Sequence, residues 1–287
     1  LRFEEPLSEH TSFKIGGPAA LMAFPKDAQQ LRRLLQLSHQ RGVKPIVLGA
    51  GTNVLAPDEG IDGFLICTRG CLSGMKQLSQ TQLEVYSGQT LAKAAMFARD
   101  CGLSGLEFAH GIPGTVGGGL YMNAGAYGGE LCQVTEQTAV LLPDGTETVF
   151  TGTEQGFDYR KSVFSTMDCV IVKTIFSLKP AGKQEIRSRM QELASKRLAS
   201  QPLELPSAGS AFKRPAGGYA AALIEQAGLK GFRIGGAQVS EKHSGFIVNT
   251  GGATCRDVLA LIEEVQQRVQ ARSGIVLEPE IRLLARR

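Results

Sequence analysis

Apolar positions along the first hundred residues recur with a helical spacing in two places and a strand-like spacing in three. Over 28–41, Ala28, Leu31, Leu34, Leu35 and Ser38 share one face, with Asp27 at the N-cap position and Gly42 at the stop, so a helix is predicted there. Lys44–Leu48 reads as a buried strand running into the turn Gly49-Ala50-Gly51-Thr52-Asn53, and Gly63–Thr68 as a second apolar strand. The first 68 residues are therefore expected to form a small α/β unit. Leu83–Tyr86 alternates as a strand, and Thr90 can cap a helix that runs through Asp100 and stops at Gly102.

Farther along, Thr135–Leu142 and Thr146–Phe150 flank the turn Pro143-Asp144-Gly145, the pattern of a hairpin, and Cys169–Leu178 is a further strand. Segment 183–199 is charged and helical in period; the prolines of Gln201–Pro206 then mark a linker, and a domain boundary is placed near 182. Beyond it the pattern predicts a helix over Tyr219–Gln226, a strand over Gly245–Thr250 and an amphipathic helix over Thr254–Arg272, with Val258, Leu261, Ile262, Val265 and Val269 on one face. A last strand follows over Leu277–Ala285. Helices and strands alternate in places but also form hairpins, which predicts an α+β fold over a pure doubly wound sheet.

Composition sharpens this picture at one point. Of 287 residues 35 are glycine, well above the usual figure of about 7%, and ten of them fall within 102–129. Ordered glycine costs backbone entropy, so a cluster implies positive φ or a close backbone approach. The net charge of +4, from 31 basic and 27 acidic residues, contains no basic block of the kind that binds nucleic acid. No apolar run reaches the roughly 18 residues of a membrane span. The start Leu1–Glu5 has neither an initiator Met nor a signal-peptide core, so a trimmed start and no export are expected. Six cysteines without a CxxC pair are expected to be buried free thiols in a reducing compartment, and four histidines show no metal-ligand spacing.

Gly49–Asn53 could present backbone N–H groups to a pyrophosphate, although Val54 stands at the third glycine position of the dinucleotide fingerprint and a tight turn explains the segment equally well. The stretch His110–Gly129 is too poor in side chains to fill a core, yet Ile112, Val116, Leu120 and Met122 recur too densely for a solvated linker; a flat or extended partner is expected on its backbone. Three polar segments stand apart: Tyr159–Phe164, Ser207–Lys213 and Leu277–Arg282. Taken singly, none is specific. No GxSxG elbow surrounds any serine, which disfavours a serine hydrolase.

Together and in this order, Thr11–Pro18, Gly49–Leu55, Ile112–Glu130, Tyr159–Phe164, Pro206–Lys213, Gly235–Asn249 and Glu278–Arg282 closely resemble the UDP-N-acetylenolpyruvoylglucosamine reductases, the MurB family. The uninterrupted Arg214–Tyr219 segment is similar to the family's type II form. The resemblance implies an FAD-binding two-subdomain unit of the vanillyl-alcohol-oxidase-like (PCMH) kind plus a C-terminal α+β substrate-binding domain. Subdomain 1 would be 1–68, joined by the last strand at about 281–287; subdomain 2 would be 69–182, and the substrate domain 183–280.

The resemblance also implies non-covalent FAD, NADPH as hydride donor, and reduction of the enolpyruvyl group of UDP-N-acetylglucosamine enolpyruvate by hydride delivery from flavin N5 to C-3. Arg160 would polarise the substrate carboxylate, Glu280 would hydrogen-bond the enolate oxygens when protonated, and Ser210, assisted by Lys213, would protonate C-2. The cofactor would be held by Gly49, Ala50, Gly51, Thr52, Asn53, Gly111, Pro113, Gly114, Thr115, Gly117, Gly118, Asn123, Gly125 and Ala126. Substrate contacts are expected from Tyr159, Lys213, Tyr219, Lys230, Gln238 and Asn249. No metal, nucleic acid or membrane partner is expected, and the implied protein is a cytoplasmic monomer of peptidoglycan synthesis. Two alternatives remain at this stage: another FAD-dependent oxidase or dehydrogenase of the superfamily, and a non-catalytic nucleotide-sugar sensor.

Overall fold

A computed structural model describes residues 1–285. The chain divides into two compact units, one of Leu1, Ala23–Ala50 and Phe64–Arg197, the other of Arg2–Met22, Gly51–Gly63 and Leu198–Arg287.

In the first unit, helix α1 (Ala28–Gln40) starts where Asp27 accepts the Gln30 N–H at 2.8 Å and buries Leu31, Leu35 and Ser38. Helix α2 (Leu91–Asp100) is capped by Thr90, which accepts from Lys93 at 3.2 Å, and ends at Gly102 in the left-handed region. A five-stranded antiparallel sheet runs in the order Glu147–Thr151, Thr135–Leu141, Val170–Ser177, Gln82–Tyr86, Met75–Gln77. Its expected hairpin closes as Gly145 donates to Leu142 and Leu142 to Thr146. A short helix, α3 (Val116–Tyr121), lies in the glycine-dense stretch where no helix was predicted. Helix α4 (Lys183–Ser200) packs Ile186, Met190 and Leu193 into the core around Phe164 and Phe176.

The predicted buried strand over 44–48 is shorter and wetter than expected. Only Ile46–Leu48 is extended, paired in parallel with Leu65–Cys67, and Val47 remains 37% exposed because the strand is an edge.

The second unit holds a four-stranded antiparallel sheet, in the order Ser207–Ser210, Phe246–Asn249, Ala237–Val239, Arg233–Ile234. Against it pack α5 (Ala220–Gln226) and α6 (Cys255–Ser273), around a core of Phe212, Ile224, Val239, Val258, Leu261 and Val265. Phe13, Ile15 and Leu55 belong to this core as well. Residues 1–68 thus contribute to both cores, Leu31 and Leu35 to one in the first unit and Phe13, Ile15 and Leu55 to that of the second.

The long last strand is also corrected. Only Arg282–Leu283 forms a ladder, in parallel with Val54–Leu55, while 278–280 bond instead to 211–213; residues 286–287 lie outside the described residues. Proline at 279 has no N–H to extend one ladder through the segment. Of the cysteines, all free, Cys67, Cys71 and Cys255 are buried but Cys101, Cys132 and Cys169 only half-buried. Burial pushes the thiols of Cys71, Cys169 and Cys255 up to about 11, so they behave as inert packing groups. Among the described residues no helix is long and apolar enough to cross a membrane.

Candidate active site

The glycine loop of the first unit is folded by its neighbours. Leu91 N–H donates to Gly114 O, Val116 N–H to Gln89 O and Gly117 N–H to Ser87 O at 2.9 Å, which fastens 114–117 to the turn before α2. Thr115 then caps α3 by accepting from Gly118 at 3.2 Å. Gly49 lies against this cap: a Cβ there would stand 2.9 Å from Thr115 Oγ1. The two glycine segments singled out in the sequence therefore adjoin within this unit, at Gly49 and Thr115.

Asn123 organises the next segment. Almost fully buried at 1% exposure and at φ +44, it donates to Glu130 Oε2 and Asp158 O, both at 3.1 Å, and accepts from Cys132 N–H at 2.9 Å. With its amide so engaged, Asn123 shapes the loop that carries Gly125 and Ala126, which pair with Glu130 and Gly129. Arg160 donates to Gly125 O at 3.1 Å, has Nη1 3.9 Å from Glu130 Oε1, and sits 4.9 Å from the Tyr159 ring centre. Arg160 (φ +53), Tyr127 (φ +53) and Asn123 are all non-glycine residues in the left-handed region. Such conformations persist where surrounding bonds over-determine them, which is common at binding sites.

In the second unit a different set converges. Ser210 ends the strand Ser207–Ser210 and pairs with Phe246. Glu280 N–H donates to Ala211 O at 2.8 Å and Lys213 N–H to Glu278 O at 2.8 Å, so the segments bearing Ser210 and Glu280 run antiparallel and adjacent. Asn53 ties in the turn: its side chain donates to Glu280 O at 3.2 Å and its own carbonyl accepts from Arg282 at 3.1 Å. Ser12 completes the knot, donating through its backbone to Gly51 O and through its hydroxyl to Ser207 O at 2.6 Å. Lys213 is ion-paired with Glu278.

A family model for the C-terminal domain of UDP-N-acetylenolpyruvoylglucosamine reductase matches residues 201–284, and one for an FAD binding domain matches 19–151. The UDP-N-acetylenolpyruvoylglucosamine reductase of Syntrophomonas wolfei is 42% identical over 284 residues, spanning 99% of this chain and 95% of the relative. That of Pseudothermotoga lettingae is 46% identical over 286 residues, 99% and 97% of the two chains. The crystal structure of the Thermus caldophilus reductase, MurB, superposes with a TM-score of 0.83 at 36% identity, covering 97% of each chain. The chain belongs to the UDP-N-acetylenolpyruvoylglucosamine reductase family. The resemblance drawn from seven ordered motifs is borne out, as are the α+β class and the FAD-binding domain.

A member of this reductase family binds FAD, and glycine-rich backbone in the first unit fits such a group. Gly49 adjoins the Thr115 cap of a segment that carries Gly114, Gly117 and Gly118, and beside Gly111 the buried Nδ1 of His110 is without a hydrogen-bond partner. Burial, with a smaller contribution from Arg99, lowers the His110 pKa.

The expected substrate residues fare unequally. Gln238 lines a cleft of about 450 Å³ with Pro202, Glu204, Ser240 and Lys242, and donates to Gly231 O at 3.0 Å. Tyr219 is 62% exposed beneath the Arg214 guanidinium, and Lys230 reaches Glu225 at 3.2 Å. Asn249 is different: it is buried, donates to Phe13 O and accepts from Gly251 and Ala253, so its amide serves the fold. The contacts of His110 and Glu130 at the glycine loop were not legible in the sequence, because a single His or Glu carries no spacing signal.

Proposed function

We propose that this chain reduces the enolpyruvyl group of UDP-N-acetylglucosamine enolpyruvate to the D-lactyl ether, yielding UDP-N-acetylmuramate for peptidoglycan, with NADPH as hydride donor. The observation that supports the proposal is the pairing of 211–213 with 278–280, which brings the segments bearing Ser210 and Glu280 side by side. Gly49, Ala50, Gly51, Thr52, Asn53, Gly111, Pro113, Gly114, Thr115, Gly117, Gly118, Gly125 and Ala126 would hold FAD, with Asn123 shaping the loop. Bound there, FAD would supply the hydride-transfer chemistry between NADPH and C-3 of the substrate.

Adding hydride to an alkene conjugated with a carboxylate pushes charge onto that carboxylate and leaves C-2 in need of a proton. Arg160 would neutralise the carboxylate, a preorganised cation at the place where charge develops. Glu280, in its protonated form, would donate to the enolate oxygens, and Ser210 would release its proton to C-2. A serine hydroxyl is a weak acid, so the proposal gives Lys213 the task of stabilising the alkoxide. Tyr159, Tyr219, Lys230 and Gln238 would contact the sugar nucleotide.

The proposal extends to a cytoplasmic monomer in which 1–68, rejoined near 281, and 69–182 serve the cofactor while 183–280 serves the substrate; α4 is better assigned to the cofactor side, because its buried face lies in the core of the first unit. The test is visual. Purified protein should carry a flavin absorption band that bleaches with NADPH and returns on adding the enolpyruvyl sugar nucleotide. Colourless protein that takes up no FAD would refute the proposal, and recolouring by oxygen alone would favour an oxidase.

A further inference from the structure

Helix α4 turns Ile186, Met190 and Leu193 toward the core of the first unit, and Arg197 occupies the next position of that stripe, one turn beyond Leu193, where an apolar residue would continue the pattern. Its stem is admitted by a glycine: a Cβ on Gly111 would stand 2.8 Å from Arg197 Nε and 3.1 Å from Cδ. Its guanidinium lies 5.7 Å from the ring centre of Tyr127 and hydrogen-bonds to that neutral side chain, which carries no countercharge. The side chain thus touches both ends of the loop expected to hold the cofactor, at Gly111 and just after Gly125 and Ala126.

Several arginines of this unit have carboxylate partners, such as Arg99 with Asp100 at 2.7 Å and Arg189 with Glu192 at 2.6 Å. Among the described residues no carboxylate pairs with Arg197. Burial lowers its pKa, yet a guanidinium stays charged. A desolvated cation lacking a counter-ion is costly unless something negative or electron-rich meets it. At the same loop, beside Gly111, the buried Nδ1 of His110 has no hydrogen-bond partner.

We propose that Arg197 is a further cofactor-binding residue whose guanidinium donates to an oxygen of bound FAD, on the diphosphate or on the ring. The proposal rests on the FAD-dependent function argued above. It is tested by titrating apoprotein, wild type, Arg197→Met and Arg197→Lys, with FAD, FMN and riboflavin under flavin fluorescence, alongside circular dichroism of each apoprotein. Arg197→Met should raise the FAD dissociation constant roughly tenfold to a hundredfold, the range of a charge-assisted hydrogen bond, and Arg197→Lys should recover part of the loss. A penalty for FAD that shrinks with FMN and vanishes with riboflavin identifies the diphosphate; an equal penalty for all three identifies the ring.

Binding of FAD by Arg197→Met within about twofold of wild type would overturn the proposal, since even a weak charged hydrogen bond exceeds that. So would a variant pair in which the apo-fold loosens with Met but Lys binds FAD as wild type does, because then only the stem would matter. Wild-type protein that binds no FAD would instead refute the function itself.

Discussion

Glu280 N–H donates to the carbonyl of Ala211 at 2.8 Å, which sets the Glu280 backbone beside the residue that follows Ser210. Two groups about 70 positions apart in sequence thereby share one strand edge, held further by the bond from Asn53 to Glu280 O at 3.2 Å. The hydroxyl proposed as proton donor and the carboxyl group at such an edge are placed by backbone, so either side chain can be replaced with little disturbance of the other.

That rigidity makes Ser210→Ala a clean experiment. Bleaching of the flavin by NADPH should stay within about twofold of wild type, while reoxidation by the enolpyruvyl sugar should slow by roughly 10²–10⁴-fold, the usual contribution of a general acid. Stopped-flow absorbance separates the two halves. Equal slowing of both would remove Ser210 as the proton donor.

Lys213 is paired with Glu278, and in the proposed mechanism it also supports the Ser210 alkoxide. Lys213→Met is therefore expected to slow the second half-reaction by roughly 10–100-fold and to change its solvent isotope effect. Turnover and isotope effect both matching wild type would leave the lysine with a purely structural ion pair, and exposed pairs contribute little.

Gly51 is the tightest point of the turn that carries Asn53. At φ +63, with any Cβ placed 2.0 Å from His10 O, it tolerates neither a side chain's torsion nor its volume. Gly51→Ala should cost about 2–4 kcal/mol, the sum of left-handed strain and a backbone clash, and should weaken FAD retention with it. Urea unfolding of the variant checks the first and gel filtration of the loaded protein the second; unfolding at the wild-type midpoint would contradict the geometry.

Local chemistry made part of this fold readable from sequence. Asp27 before α1, Thr90 before α2 and Pro143-Asp144-Gly145 between two strands each act within a few residues, and each forms as expected. Helix α3 could not be read: its Val-Gly-Gly-Gly-Leu-Tyr segment has poor intrinsic helicity, and it forms because Val116 and Leu120 are buried and Thr115 caps it. The fates of 13–15 and 55, packed with residues beyond 200, are equally invisible to local pattern. At the site, the motifs supplied Ser210, Glu280 and Arg160, whereas the engagement of Asn123 and Asn249 with backbone, and the place of Arg197, depend on contacts distant in sequence.

The start of α6 supplies a pH test. Thr254 accepts from Asp257 N–H at 3.0 Å, and Asp257 Oδ2 accepts from Thr254 N–H at 3.0 Å and from Gly236 N–H at 3.2 Å. The bonds from Thr254 and then Gly236 hold the Asp257 carboxyl below its ordinary value of 3.8. A depressed carboxylate stabilises the fold fully above its unfolded pKa and loses that contribution as the pH falls through the lowered, folded one. Wild type should therefore lose stability in the acid range below 3.8, and Asp257→Asn, which keeps the shape without the titration, should lose less over the same interval. Thr254→Ala, which removes only the hydroxyl cap, should cost about 1 kcal/mol at neutral pH. Urea midpoints at about pH 6 and about pH 3 bracket the transition; parallel decline of wild type and Asp257→Asn would show that the acid sensitivity belongs to other carboxylates.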